Sequence, residues 1–317
     1  MGYIDVHHHF LPHEYALAWK ESGQVPRGLM PPFWTIESDI SFLDRHNIDV
    51  AILSLSAPGV SITASPCEAR QLARQMNEEA AKIRNKYPTR IGFFATLPLE
   101  DVAVGIEELC YVLDTLEADG VTLLTNYDGK YLGHPDFQPL WRELNRRGAV
   151  VFIHPTSGKN PGSPHAGAMP PPIVDFPHET TKTAVNLITS NTVKNNTNCK
   201  IILSHGGGTL PFIATRVANL AADVGLLTKT ADEFMEEAKS FYFDVALTCH
   251  EDPIMLLTSF ARENHILWGS DFPFAREKTI EDQMSYLASS AIKSGTRNSI
   301  MNGAAVRLFP RFGTASS

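Results

Sequence analysis

The chain has 317 residues, and 27 Lys plus Arg against 35 Asp plus Glu leave a formal charge of −8. Hydrophobic residues make up 43% and charged residues 20%, an ordinary globular composition. The acidic balance argues against nucleic acid, whose phosphates need clustered Lys and Arg, and no run of about 18 apolar residues predicts a membrane span.

The opening MGYIDVHHHF lacks the basic and long apolar regions of a secretory signal, so the expected location is the cytosol. Cys67, Cys110, Cys199 and Cys249 form no C-x-x-C pair, and are expected to be reduced core thiols. The acceptor string Asn195-Asn196-Thr197 is expected to be accidental in such a location.

Short apolar runs recur along the chain. They begin near Ile4 (YIDV), Val50 (VAILSLS), Ile91 (RIGFFATL), Val121 (GVTLL), Val150 (AVVFIH), Ile201 (KIILSH), Phe241 (FYFDVAL) and Ile266 (ILWGS). Several are apolar without alternation, as parallel strands covered on both faces should be. Helical patterns fill the intervals: Glu68 to Lys86, Val102 to Glu117, Phe137 to Arg147, Thr180 to Thr192, Leu210 to Leu227 and Asp252 to Arg262. This alternation predicts an α/β protein, a (β/α)8 TIM barrel forming one domain over residues 1–317. A doubly wound sheet shares the alternation, but eight such units in about 300 residues favour closure. Two stretches break the rhythm. Ser22 to Ser38 is rich in Pro and aromatics, and Thr156 to Pro177 is rich in Gly and Pro. Both are expected over the active-site face as lids or pocket walls. The tail Thr314 to Ser317 is expected to fray.

In a barrel of this kind, catalytic groups sit at the C-terminal ends of the strands. His7-His8-His9 follow the first run, His154 the fifth, His205 the sixth and Asp271 the eighth. His7 and His9, at i and i+2 on a strand, share a face about 7 Å apart and can reach one ion. His8 points the other way and is expected to be structural. A tag remnant would lie outside the fold, whereas these histidines continue directly from IDV. His154 alone would be read as a core histidine, and Asp271 alone as a cap before Pro273. Gly206, Gly207 and Gly208 permit a sharp turn after His205 but match no phosphate-binding string. Three imidazoles and a carboxylate on one rim suit Zn²⁺ or a similar divalent ion.

The strings DVHHH, FIHP, SHGGGTLPF, WGSDFPF and NGAAVRLF resemble the amidohydrolase superfamily. The resemblance runs from Ile4 to Phe309 and is nearest the branch of aminocarboxymuconate-semialdehyde and ortho-hydroxyarene decarboxylases; the segment FPHETT is similar to that of fungal 6-methylsalicylate decarboxylases. It implies His7, His9, His154 and Asp271 as ligands of one divalent metal, Zn²⁺ with Mn²⁺ as the alternative. It places His205 beside the metal as a catalytic histidine. The bridging lysine of the binuclear hydrolases has no counterpart in GVTLLTN, where no lysine precedes Lys130; this favours a single metal. The resemblance to the muconate-semialdehyde enzymes, in which an arginine of the first long insertion holds the substrate's carboxylate, implies Arg27 as its counterpart. A dimer or higher homo-oligomer, such as a tetramer, is implied as well.

The expected reaction is non-oxidative decarboxylation of a small aromatic carboxylic acid, 6-methylsalicylate to 3-methylphenol and CO₂. The acid's carboxylate and ortho-hydroxyl would bind at the ion, Asp271 would protonate the ring carbon and His205 would help manage the proton. The pocket should be mostly apolar, with Phe10, Trp34, Phe176, Phe212, Phe272 and Phe274 as candidate walls, about half of them touching substrate. His178 and His250 are expected to be structural. The rivals are a mononuclear hydrolase of a lactone or amide, told apart by a ring-opened acid instead of CO₂, and a metal-dependent scaffold without turnover.

Overall fold

A computed structural model describes residues 2–25, 30–157 and 169–313. All eight apolar runs become strands: β1 (Tyr3–Phe10), β2 (Ile48–Leu55), β3 (Ile91–Thr96), β4 (Gly120–Leu124), β5 (Val150–His154), β6 (Lys200–Leu203), β7 (Tyr242–Asp244) and β8 (Ile266–Leu267). They lie side by side in chain order and pair in parallel. The segment after β8 returns to β1 through Val6 N–H to Trp268 O (3.0 Å), Asp271 N–H to His7 O (2.8 Å) and His9 N–H to Phe272 O (2.8 Å). These bonds bring the sheet nearly to closure as a (β/α)8 barrel.

Helices α1 (His13–Glu21), α2 (Ile36–Arg45), α3 (Pro66–Lys86), α4 (Val102–Asp114), α5 (Gln138–Arg147), α6 (Pro171–Thr189), α7 (Leu210–Asp223), α8 (Ala231–Ser240), α9 (Glu251–Phe260) and α10 (Glu277–Ser289) surround the sheet. The longest, α3, shows how local sequence sets them. The Ser65 hydroxyl accepts from Glu68 N–H at its start, Pro66 opens the first turn, and Ala69, Ala73, Met76, Ala80 and Ile83 bury one face.

Two expectations change. The first insertion is shorter than Ser22 to Ser38, because α2 already begins at Ile36, and α1 separates it from β1. In the second insertion, residues 171–177 are helical. Prolines at the start of a helix replace N–H groups that would have no partner there, so a proline-rich string reads as loop yet starts α6. Among the cysteines, which form no disulfide, Cys249 is buried but Cys67 is exposed on α3, not in the core.

The barrel interior holds Ile4, Val6, Val50, Ile52, Phe94, Phe152, Ile202 and Leu267, with Phe309 and Phe312 of the C-terminal turns packed on them. Each fully buried large side chain of this kind contributes about 1.5–3 kcal/mol. Along β5, Val150, Phe152 and then His154 share the inward face, so the same pleat that fills the core aims a histidine at the mouth.

In β1 the alternation alone would fail. Ile4 and Val6 face inward, which would turn His7 and His9 out. The register shifts here: Asp5 lies opposite Ala51 but His8 opposite Leu53, one residue extra on β1. That bulge inverts the pleat. The His7 ring therefore lies 5.0 Å from the inward-facing ring of Phe152, while Asp5 and His8 turn toward α2.

Past β6, Gly208 adopts φ +63°, and a Cβ there would collide with the Pro177 carbonyl oxygen of α6. Gly208→Ala is expected to cost at least about 2 kcal/mol, from left-handed strain and backbone contact together. Thermal unfolding checks it, and an unchanged midpoint would contradict the close approach.

Candidate active site

His7, His9, His154 and Asp271 are all buried, and one ligand atom from each lies within 4.8 Å of those of the others. His7 Nε2 is 3.2 Å from His9 Nε2, and Asp271 Oδ1 is 3.4 Å from His7 Nε2 and 3.2 Å from His9 Nε2. The His205 ring lies 4.7 Å from that of His7 and 6.0 Å from that of His154. The sequence-predicted cluster is thus assembled in full.

Each imidazole is held at its other nitrogen. His9 Nδ1 faces the Ser54 carbonyl and hydroxyl (3.3 and 3.1 Å). His154 Nδ1 donates to Pro155 O (2.9 Å), and His205 Nδ1 to Ala246 O (3.2 Å). His7 Nδ1 donates to Asp244 Oδ2 (2.9 Å). A carbonyl can only accept, so Nδ1 carries the hydrogen and Nε2 keeps its lone pair. The Nε2 atoms of His7, His9 and His154 are thereby left to the space they share with Asp271, the arrangement by which outer partners fix metal-binding histidines.

The sequence does not mark Asp244, which sits inside the apolar run FYFDVAL. It ends β7 on the inward face. Its Oδ1 accepts the backbone N–H of His205 (3.0 Å) and of Ala246 (3.0 Å), while Oδ2 holds His7. Next to it, a Cβ on Gly269 would lie 2.7 Å from the Cβ of His7, so only glycine lets β8 approach this closely.

Electrostatics separates the members. Burial pushes His9 down, as it does His154, where the neighbouring histidines add to the effect and hold the group well below the usual imidazole range. Burial also lowers His205, helped by His7. His7 goes the other way: burial opposes it, but Asp244 and Asp271 together raise it to about 10. For Asp271 burial raises the carboxyl, yet His7 and His9 beside it prevail and hold it well below the carboxylate range. An anionic Asp271 beside neutral His9 and His154, with a His7 that would give up its Nε2 proton to an ion, fits a divalent cation.

Both Asp271 (φ 61°) and His205 (φ 54°) are left-handed. Outliers of this kind gather where a side chain must be aimed, and aspartate tolerates the region better than most residues.

The predicted walls divide. Phe274 lies 5.4 Å from His9 and Phe176 lies 6.0 Å from His154, ring to ring, so both face the cluster. Phe212 does not come to it: on α7 it is 79% exposed. Trp34 is buried, and its indole N–H goes to Asp39 Oδ2 (3.2 Å). Phe10 packs with Trp34, and Phe272 stacks on Phe42 at 3.9 Å. Arg27 lies outside the described residues, as do 158–168 of the second insertion and the tail 314–317. His178 and His250 are exposed, and Lys130 is ion-paired with Asp136 at 2.6 Å.

The barrel carries at its mouth a buried His/Asp cluster able to hold a metal ion, and the chain belongs to the amidohydrolase family, whose model matches residues 4–311. Within that family it is a carboxy-lyase. It is 49% identical to a decarboxylase of Aspergillus niger, over 98% of this chain and 88% of the relative. It is 42% identical to a 6-methylsalicylic acid decarboxylase of Penicillium expansum, over 98% of this chain and 97% of the relative. Among solved structures, an amidohydrolase II superposes with a TM-score of 0.90 at 28% identity, over 97% of this chain and 99% of that one. A dihydroxybenzoic acid decarboxylase from Polaromonas sp., solved with bound manganese and 2-nitroresorcinol, shares the fold with a TM-score of 0.80 at 23% identity, over 98% of this chain and 97% of that one. Among the described residues no helix is long and apolar enough to cross a membrane.

Proposed function

We propose that the chain removes CO₂ from 6-methylsalicylate to give 3-methylphenol, with one divalent metal held by His7, His9, His154 and Asp271. The observation that carries the reading is the set of inward Nε2 lone pairs beside a buried carboxylate, in a chain similar over nearly its whole length to 6-methylsalicylic acid decarboxylases. Zn²⁺ fits this nitrogen-rich set, and Mn²⁺ is the alternative. When bound, the ion supplies Lewis-acid charge stabilisation and a template for the substrate's oxygens.

The residues handle the proton. Asp271 rests ionised and His205 neutral, its one hydrogen engaged at Ala246 O, so the proton arrives with the substrate. The ortho-hydroxyl gives its proton to Asp271, with His205 Nε2 beside it. Asp271 returns that proton to the ring carbon bearing the carboxylate, which becomes tetrahedral. The C–C bond then breaks, its electron pair restores the aromatic ring, CO₂ leaves, and the phenolate takes a proton from solvent. Phe176 and Phe274 flank the ring and keep water from the carbon being protonated.

The test is a panel of salicylates given to protein loaded with Zn²⁺ or Mn²⁺, following CO₂ and 3-methylphenol. His205→Ala is expected to lower kcat on 6-methylsalicylate about 10²-fold with KM little changed. A fully metal-loaded protein that turns over no salicylate, or one that releases a ring-opened acid from a lactone, would overturn the assignment.

A further inference from the structure

Behind the histidine cluster lies a second set of buried polar groups that the reaction does not use. Asp5, His8 and Asp39 are each completely buried. His8 Nδ1 is 2.9 Å from Asp5 Oδ2, and His8 Nε2 is 2.7 Å from Asp39 Oδ1. The other Asp39 oxygen accepts the Trp34 indole N–H at 3.2 Å. The other Asp5 oxygen accepts two backbone N–H groups, from His7 (3.2 Å) and from Ser270 (3.0 Å).

Placing two carboxylates and an imidazole in a dry interior is costly, and an apolar filling of the same volume is often at least as stable. Stability alone therefore does not account for the set. Its two ends do. Asp5 grips the bulge that turns His7 and His9 inward, and in the same carboxylate it grips the residue before Asp271. Every bond from Trp34 to those two amides is accounted for, so the chain of contacts has no slack at which a displacement could be absorbed. The rings confirm the continuity: His8 packs on Phe272 at 5.2 Å, and Phe10, the residue after His9, packs on Trp34 at 6.1 Å.

We propose that Asp5, His8, Asp39 and Trp34 form a buried brace through which the seating of Trp34 sets the spacing of His7, His9 and Asp271 and hence the affinity for the metal. These are positioning residues: they act through the ligand set and touch neither metal nor substrate. The brace joins the stretch just before α2 to β1 and to the turn after β8. Coupling of this kind is reciprocal, so an occupied metal site also holds Trp34 in place.

This inference rests on the metal reading above, and the experiment separates the two. Metal affinity of the stripped protein is measured with a competing chromophoric chelator, and hydrogen exchange is followed by mass spectrometry over peptides containing His7 and Ser270. Trp34→Phe keeps an aromatic ring at the site while removing the N–H and part of the indole's volume; Asp39→Asn removes the charge between Trp34 and His8. The expected result is metal affinity weakened about 10-fold by Trp34→Phe and up to about 100-fold by Asp39→Asn, with faster exchange in both peptides. The double variant should lose less than the sum of the two singles, as members of one network do. Trp34→Phe keeps the test open if Asp39→Asn does not fold. Variants that lower the unfolding midpoint but keep wild-type affinity and wild-type exchange would overturn the brace. A wild-type protein that binds no metal would overturn the metal reading alone, because exchange at His7 and Ser270 still tests the brace.

Discussion

Replacing Asp271 by asparagine is expected to lower turnover of 6-methylsalicylate by at least about 10³-fold while leaving the fold intact. The backbone makes this substitution unusually clean. Asp271 sits at φ 61°, a region in which asparagine is as comfortable as aspartate. Its N–H bond to His7 O, and the bond from Ala275 N–H to its carbonyl, use main-chain atoms that the substitution does not touch. What changes is the head group. The amide oxygen is a weak neutral ligand, and the amide can neither accept the hydroxyl proton nor return it to carbon. Metal content and circular dichroism measured on the same sample separate the causes. Loss of turnover with the metal largely retained is the expected result. Wild-type turnover in a metal-loaded Asp271→Asn protein would remove the carboxylate from the chemistry.

Much of this site was readable before any coordinates, and the reasons are local. A strand that ends on a histidine or an aspartate after an apolar body marks itself, so His154, His205 and Asp271 stood out at the ends of VVFIH, IILSH and ILWGSD. Asp244 did not, because its strand FYFDVAL continues past it into further apolar residues. Its only signal was a charge inside an otherwise buried run, which ordinarily means a partnered group. The pairing of His7 with His9 was legible from their spacing, but their inward aim was not. It depends on an extra residue between Asp5 and His8, and a bulge is a property of two strands, invisible in one. Phe212 shows a limit of another kind: an aromatic close in sequence to the glycine turn is 79% exposed on α7, because helical phase decides burial and the sequence places the start of a helix only roughly. The proline-rich approach to Phe176 hid a helix for a similar reason. What one strand or one helix decides alone can be read; what two elements decide together cannot.

Asp244→Asn carries the other large expected effect, and it follows from hydrogen-bond bookkeeping at one carboxylate. Oδ1 accepts from the N–H of His205 and of Ala246, each at 3.0 Å. Both are backbone donors, so whichever atom of the new amide faces them must be its oxygen. The amide nitrogen is then turned to His7 Nδ1, where Oδ2 now stands at 2.9 Å. Two donors cannot face each other, so His7 would have to accept at Nδ1 and carry its hydrogen on Nε2. That hydrogen points into the cluster, at the position where the other imidazoles offer lone pairs. A nitrogen bearing a hydrogen cannot bind a metal, and restoring the tautomer costs a buried donor its partner, about 1–3 kcal/mol. The expected outcome is a loss of metal affinity of about 100-fold, at the upper end for outer partners, with turnover at limiting metal falling in parallel. Excess Zn²⁺ or Mn²⁺ should recover part of the activity of Asp244→Asn but little of that of Asp271→Asn, because the first variant is deficient in holding the ion and the second in moving the proton. Equal rescue of the two by metal, or wild-type affinity in Asp244→Asn, would contradict the tautomer argument and with it the assignment of Asp244 as the residue that keeps His7 ready for its ion.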